Sequence, residues 1–344
     1  MPHDEPIVAV TSSDGHRFEL IEIGADTASD LVLLLPGMGI PARHYIDFAR
    51  ALADGGARVL IHEWRGIGSS SLRAARHCNW GYRELLQFDL AAAVAAAQDA
   101  SASARLWLAG HSLGGQLACL AAARARPPIA GVAVIASGMP YYAVFPARMR
   151  RKLRVVFRAF PALAALVGHF PGRRLGWGGN EARGVISDWA RTGRSGHYAL
   201  PSLDFDAEAA LRRLDCPLLV LRMADDSWVP QTSVDWLMRK MPDCSIDQRS
   251  IGHEQQGRAA DHFNWLQVPE ASAAEVHGWM RASAQASSRG NRKDRRRCAD
   301  SSFGRLVVWS FCRGPCAVDA RAGLTGLNTI RRSRPARCRR DPRP

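Results

Sequence analysis

The sequence predicts an α/β architecture with a doubly wound, mostly parallel sheet, and two observations carry that prediction. Short runs apolar on both faces recur at residues 31–35, 59–61, 106–109, 132–136 and 218–221, which is how strands covered on both sides read. Between several of them lie segments of helical spacing, 45–53, 82–98 and 113–125, long enough for the crossovers that parallel strands require.

The remaining elements come in chain order. Residues 7–10 and 17–23 read as strands joined through Ser13, Asp14 and Gly15, an antiparallel hairpin on the sheet edge. After residue 136 the alternation stops, and 139–205 reads as Pro- and Gly-punctuated helices rich in Arg and aromatics, a helical lid inserted into the core. The core resumes over 206–284. The expected organisation is therefore core at 1–138, lid at 139–205, core at 206–284 and an Arg-rich tail at 285–344.

Composition sets the outer bounds. With 344 residues, 47% hydrophobic and 23% charged, the chain is an ordinary globular protein rather than a collagen-like, disordered or disulfide-scaffold one. The formal charge of +14 looks like a nucleic-acid signal, but the tail alone holds 16 Lys and Arg against 4 Asp and Glu. The rest is nearly neutral, so the core is not expected to bind nucleic acid. In the tail, runs such as Arg295, Arg296 and Arg297 repel one another and core-forming residues are scarce, which predicts disorder.

Residues 1–14 include Asp4 and Glu5 and lack the apolar core of a signal peptide. The stretch 155–170 is broken by Arg158, Pro161 and His169, short of the ~20 apolar residues of a membrane span. A cytoplasmic protein without a transmembrane segment is expected. Cys78, Cys119, Cys216 and Cys244 lie in the body and Cys298, Cys312, Cys316 and Cys338 in the tail. Their spacing lacks the paired ligands of a zinc site, so free thiols of a reducing compartment and no metal are expected.

The chemistry concentrates after the run at 106–109, where Gly110-His111-Ser112-Leu113-Gly114-Gly115 fits G-x-S-x-G between a strand and a helix. The glycines let Ser112 occupy a strained turn in which larger neighbours would collide with the flanking elements. A serine hydroxyl is a weak nucleophile and needs a base, and the base needs a third group to hold its tautomer. The run at 218–221 leads to Asp225 and Asp226; Asp226 is the expected acid because it opens Asp-x-x-Val-Pro, whereas Asp225 reads as a turn or capping residue. A strand pattern at 245–251 ends at Gly252-His253, which makes His253 the expected base. His262 is the next candidate, but its helical surroundings read as packing. For a developing oxyanion, the expected donors are the backbone N–H of Leu113, after the nucleophile, and of Met38, in the turn Pro36-Gly37-Met38-Gly39.

With these residues in place, the chain resembles serine hydrolases of the α/β-hydrolase superfamily, and in particular a bacterial serine-aminopeptidase-like branch. The resemblance spans about residues 7–280. It rests on Gly110–Gly115, on Arg65-Gly66-Ile67-Gly68-Ser69-Ser70, on Phe170-Pro171-Gly172-Arg173-Arg174-Leu175-Gly176 and on Asp188-Trp189-Ala190-Arg191. It implies hydrolysis of an ester, thioester or amide through an acyl-serine intermediate, without metal or organic cofactor. The sequence departs from the pattern at Pro36, where histidine is frequent, at Glu63, where aspartate is common, and at Glu254 after the expected base.

The lid bears on the substrate. Tyr141, Tyr142, Phe145, Phe157, Phe160 and Phe170 offer apolar surface, and Arg148, Arg150, Arg151, Lys152, Arg154 and Arg158 offer positive charge. A small-molecule acyl substrate, lipid-like and with an anionic head, would suit both. Three alternatives belong to other readings: a peptidase releasing N-terminal residues, a hydrolase fold that binds without turnover, and a nucleic-acid or membrane-binding role carried by the basic tail.

Overall fold

The computed structural model describes residues 5–100 and 104–303. The chain divides into two units, Met1–Asn291 and Arg292–Pro344, and the first holds the sheet and the site. It opens with the hairpin of β1 (Ile7–Thr11) and β2 (Arg17–Ile23), followed by β3 (Asp30–Leu35), α1 (Ile46–Asp54), β4 (Arg58–His62), α2 (Leu90–Ala100), β5 (Arg105–His111), α3 (Leu113–Arg124) and β6 (Gly131–Ile135). An insertion then contributes α4 (Ala147–Val167), the two-residue strands β7 (Phe170–Pro171) and β8 (Asn180–Glu181), and α5 (Arg183–Ser195). The sheet resumes through α6 (Ala207–Arg212), β9 (Leu218–Met223), α7 (Gln231–Met238) and β10 (Ile246–Ile251), and the chain continues into α8 (His253–Gln256) and α9 (Glu270–Phe303).

Strand order is β1-β2-β4-β3-β5-β6-β9-β10, parallel from β4 onward and antiparallel at β1-β2 and β2-β4. The expected doubly wound sheet with an antiparallel edge hairpin is therefore what forms. The physical reason is visible in the alternation along its strands. Leu31, Leu33, Leu106, Leu108, Val132 and Val134 pack on one face with Leu90 of α2, Leu117 of α3 and Leu237 of α7. Val32, Leu34, Trp107, Ala109, Ala133 and Ile135 pack on the other with Phe48 of α1 and Val276 and Trp279 of α9. Both faces are covered, so both sets of alternating positions must be apolar.

Helix α9 carries helical backbone through Phe303, beyond the boundary drawn at residue 284. The tail from residue 304 lies outside the described residues, and with it both the expected disorder and the expected binding role.

The insertion is built around a compensated defect. Pro161 lies inside α4 and has no N–H to offer the Phe157 carbonyl one turn back. Arg194 of α5 fills the gap, its Nη1 donating to the Phe157 oxygen at 2.5 Å. Gly193 lies against the Phe157 ring so closely that a side chain there would collide with it. The two helices thus interlock at the position where the first would otherwise be weakened.

Arg65, from the sequence Arg65–Ser70, is a structural residue. Buried, it donates to Asp89 at 2.6 and 2.9 Å and to Asp14 at 2.7 and 3.1 Å, while His16 bridges Asp89 at 2.9 Å and Ser70 Oγ at 2.8 Å. Buried charges are tolerated only when paired in this way, and loss of one partner strands the others. The Arg65 guanidinium and the His16 ring hold the Asp89 carboxyl below the usual carboxylate range against the opposing effect of its burial.

Candidate active site

The candidate groups gather beyond the carboxyl ends of β3, β5, β9 and β10, where parallel α/β sheets open their crevices. Ser112 comes directly after β5 and has φ 54° and ψ −121°, a left-handed backbone rare for a residue with a side chain. Its neighbours show why glycine is needed there. A Cβ on Gly110 would run into the Gly114 carbonyl, and one on Gly114 into the Leu35 and Pro36 carbonyls. The strain is held by the Ser112 N–H, which donates to the Ile135 carbonyl at 3.1 Å, and by Ser137 Oγ, which donates to the Ser112 carbonyl at 2.5 Å.

The structure brings Ser112 to His262 and not to His253. His262 Nε2 lies 3.1 Å from Ser112 Oγ, and Nδ1 lies 2.8 Å from Asp226 Oδ2. Asp226 is buried, and its other oxygen accepts the N–H groups of Trp228 at 2.7 Å and Val229 at 3.1 Å. With the carboxylate on Nδ1, the proton of a neutral imidazole belongs there, leaving Nε2 to accept from the serine hydroxyl. Such an arrangement can take the hydroxyl proton as the oxygen attacks, and return it to a leaving group.

The course of the chain after β10 corrects the expectation for His253. Instead of a loop returning to the nucleophile, the chain enters α8, with His253 exposed in its first turn. Gly257, at φ 70°, ends that helix, and a loop then carries the chain back to the site. Asp225 fastens this loop: its N–H donates to the Ala260 carbonyl at 2.9 Å, and its Oδ2 accepts the Ala260 N–H at 3.0 Å. The residue read as a turn aspartate thus positions the histidine two residues further on. Two local signals point to His262. Gly257 is a helix terminator, and Asp261 caps the next turn by accepting from Phe263 N at 2.9 Å and Asn264 N at 2.8 Å, so residue 262 lies outside a continuous helix.

Met38 and Leu113, the expected oxyanion donors, both line the cavity at Ser112. Leu113 is the first residue of α3, whose N–H has no partner within the helix. A residue that the sequence reading did not single out links the two donor segments. Tyr45, fully buried, accepts the Gly37 N–H on its hydroxyl at 2.7 Å and donates to His111 Nδ1 at 2.7 Å. Burial, with the neighbouring His262 ring, holds His111 far below the ordinary imidazole range, so it stays neutral and accepts this bond. The turn after β3 is thereby fixed to the residue before the nucleophile.

The cavity has a volume of about 310 Å³, and its lining includes Ser112 and His262. Its roof comes from the insertion, through Met149, Leu153, Val156 and Phe160 of α4 together with Trp177 and Trp189. Among the described residues its lining includes no Asp or Glu, and Lys152 is the Lys or Arg among them. Among the described residues no group of three or more His, Cys, Asp or Glu is placed to hold a metal ion. No helix among them is long and apolar enough to cross a membrane.

Behind the turn after β3 lies a second void of about 10 Å³, lined by Met38, Gly39, Trp64, Leu113 and Glu181 among others. Glu181 is buried, Oε1 has no hydrogen-bond partner among the described residues, and burial pushes its carboxyl up to about 7. A carboxyl whose folded value exceeds its unfolded one destabilises the fold as pH rises from the unfolded value toward the folded one, because the unfolded chain ionises first. From the unperturbed 4.5 to about 7, the full effect is about 3 kcal/mol. Glu181→Gln removes the titration. Urea unfolding is expected to show the variant gaining about 3 kcal/mol on the parent between about pH 4.5 and pH 8, and a difference independent of pH would contradict this.

Fold and site geometry together are those of the α/β-hydrolase fold. Residues 26–191 match the family described as Serine aminopeptidase, S33. Among solved structures, an esterase from Pyrococcus furiosus superimposes with a TM-score of 0.53 at 16% identity, over 81% of this chain and 91% of its own. Haloalkane dehalogenase from Bradyrhizobium elkani gives 0.55 at 19% identity over 82% and 100% of the two chains. A hydrolase from Pseudomonas aeruginosa gives 0.52 at 19% identity over 81% and 99%. At these identities the likeness is one of fold. No curated protein matches the sequence.

Proposed function

We propose that the protein is a serine hydrolase that cleaves carboxylic esters of hydrophobic acyl groups through an acyl-serine intermediate. The observation that carries the proposal is His262, held at 3.1 Å from a hydroxyl on a left-handed turn and at 2.8 Å from a buried carboxylate. In the first half-reaction Ser112 Oγ attacks the ester carbonyl while His262 Nε2 takes its proton. The N–H groups of Met38 and Leu113 receive the oxyanion, and collapse expels the alcohol, protonated by His262. Water repeats the sequence against the acyl-serine and releases the acid. Asp226 holds the tautomer throughout and stabilises the transient imidazolium.

The apolar roof supports a hydrophobic acyl group, and the superimposed esterase is in keeping with ester chemistry. A second reading, the release of N-terminal amino acids, is favoured by the description of the matched family. It calls for an anionic group to hold a free amine, and among the described residues the cavity lining has no carboxylate.

A fluorophosphonate probe tests the nucleophile without knowledge of the substrate. Labelling of the parent and loss of labelling in Ser112→Ala are expected; equal labelling of both would remove Ser112 from the reaction. Across p-nitrophenyl esters, kcat/KM is expected to rise with acyl length as the chain fills the roof, and aminoacyl p-nitroanilides are expected to be poor substrates. The opposite order would favour the peptidase.

A further inference from the structure

Charge is divided between the insertion and the sheet in a way the overall balance hides. Residues 139–205 hold eleven Lys and Arg against three Asp and Glu, whereas the remainder of 1–284 holds nineteen against twenty-five. Two of the three acids, Glu181 and Asp188, have carboxyls pushed up by burial. Helix α4 alone carries six cations and no acid. Among the described residues none of the six is in an ion pair; Arg158 donates to the Arg154 carbonyl, and Arg154 lies over the Tyr142 ring.

Exposed apolar side chains collect in the same place. Of the eight large hydrophobics exposed among the described residues, Val155, Leu166, Val167 and Leu175 belong to the insertion, and Trp228 and Phe263 line the cavity. Val155 is 65% and Leu166 75% exposed. Helical spacing separates two stripes on α4. Met149, Leu153, Val156 and Phe160 face the cavity, while Arg151, Val155, Arg158, Ala162 and Leu166, offset from them around the helix, face solvent.

We infer that the outer stripe of α4 seats the protein on an anionic lipid–water surface, with the inner stripe guiding an acyl chain from that surface toward Ser112. Cations on a helix are drawn to anionic headgroups within about a Debye length, and exposed aliphatic residues between them gain by entering the headgroup–acyl boundary. A nucleic-acid backbone would satisfy the cations and leave Val155 and Leu166 in water. The guiding step rests on the acyl-ester reading above, whereas seating on the surface does not.

The test is sedimentation of the full chain with vesicles of phosphatidylcholine alone or mixed with phosphatidylserine. Binding to the mixed vesicles is expected to be at least about tenfold tighter and to weaken with salt. Because the basic tail is present in every sample, the deciding comparison is with substitutions on α4. Arg151→Glu/Arg158→Glu is expected to weaken vesicle binding at least about tenfold, and Val155→Ser/Leu166→Ser to weaken it as well. Both variants are expected to keep the parent's hydrolysis of a dissolved short-chain ester, which also reports on their folding. Vesicle binding unchanged in both variants would overturn the proposal. So would tight binding of a DNA oligonucleotide that falls with the charge reversal but not with Val155→Ser/Leu166→Ser. Binding is read without turnover, so a protein that seats on vesicles but hydrolyses no ester would overturn the function proposed above and leave the docking face standing.

Discussion

His262→Ala is expected to lower kcat/KM for p-nitrophenyl esters by roughly 10⁴-fold or more, while His253→Ala leaves it within about twofold of the parent. The asymmetry arises from position. His262 Nε2 is 3.1 Å from the Ser112 hydroxyl, so its removal leaves the oxygen with no acceptor for its proton. His253 is exposed in the first turn of α8 and is not among the residues lining the cavity. Steady-state kinetics on the two variants, with thermal unfolding to show that both fold, decide the matter. A large loss in His253→Ala, with His262→Ala active, would reverse the assignment.

Asp226→Asn is expected to reduce kcat by roughly 10³- to 10⁴-fold with little change in fold. The variant keeps an oxygen for the N–H groups of Trp228 and Val229, so the loop retains its shape. Its amide, however, donates where the carboxylate accepted. It therefore favours the tautomer with the proton on Nε2, which cannot receive the serine's. Asp225→Asn serves as the control, since it can still accept the Ala260 N–H, and its activity is expected to stay within about threefold of the parent. Equal losses in the two variants would mean that the loop, rather than the tautomer, is what both aspartates protect.

Much of the sheet was legible because its signal is local. A strand covered on both faces must be apolar at every position, and the runs at 31–35, 106–109, 132–136 and 218–221 fall within or at the ends of β3, β5, β6 and β9. The insertion was legible as an interruption of that alternation, although the short pairing of β7 with β8 has too few residues to carry a pattern. The turn at Ser112 was legible because its steric demand appears in the chain as glycine on either side.

The histidine was not legible in the same way. Reading the base as the first histidine after the last strand assumes that the chain turns back at once, and Gly252 allowed that reading. In the fold, α8 comes first, and the returning loop is set by paired hydrogen bonds between Asp225 and Ala260. Those bonds join residues 35 apart in sequence, so no local pattern announces them. Tyr45 was missed for the same reason: its hydroxyl joins Gly37 to His111 across 66 positions, and a buried tyrosine otherwise reads as core.

By itself, then, the sequence determined the strands, their parallel layering, the strained serine turn and the carboxylate at the end of β9, all of which depend on neighbours close along the chain. Tertiary structure alone decided which imidazole meets the hydroxyl and which cations share a face with exposed aliphatic side chains. Both depend on how distant segments are held against one another, through hydrogen bonds and packing that local spacing does not encode.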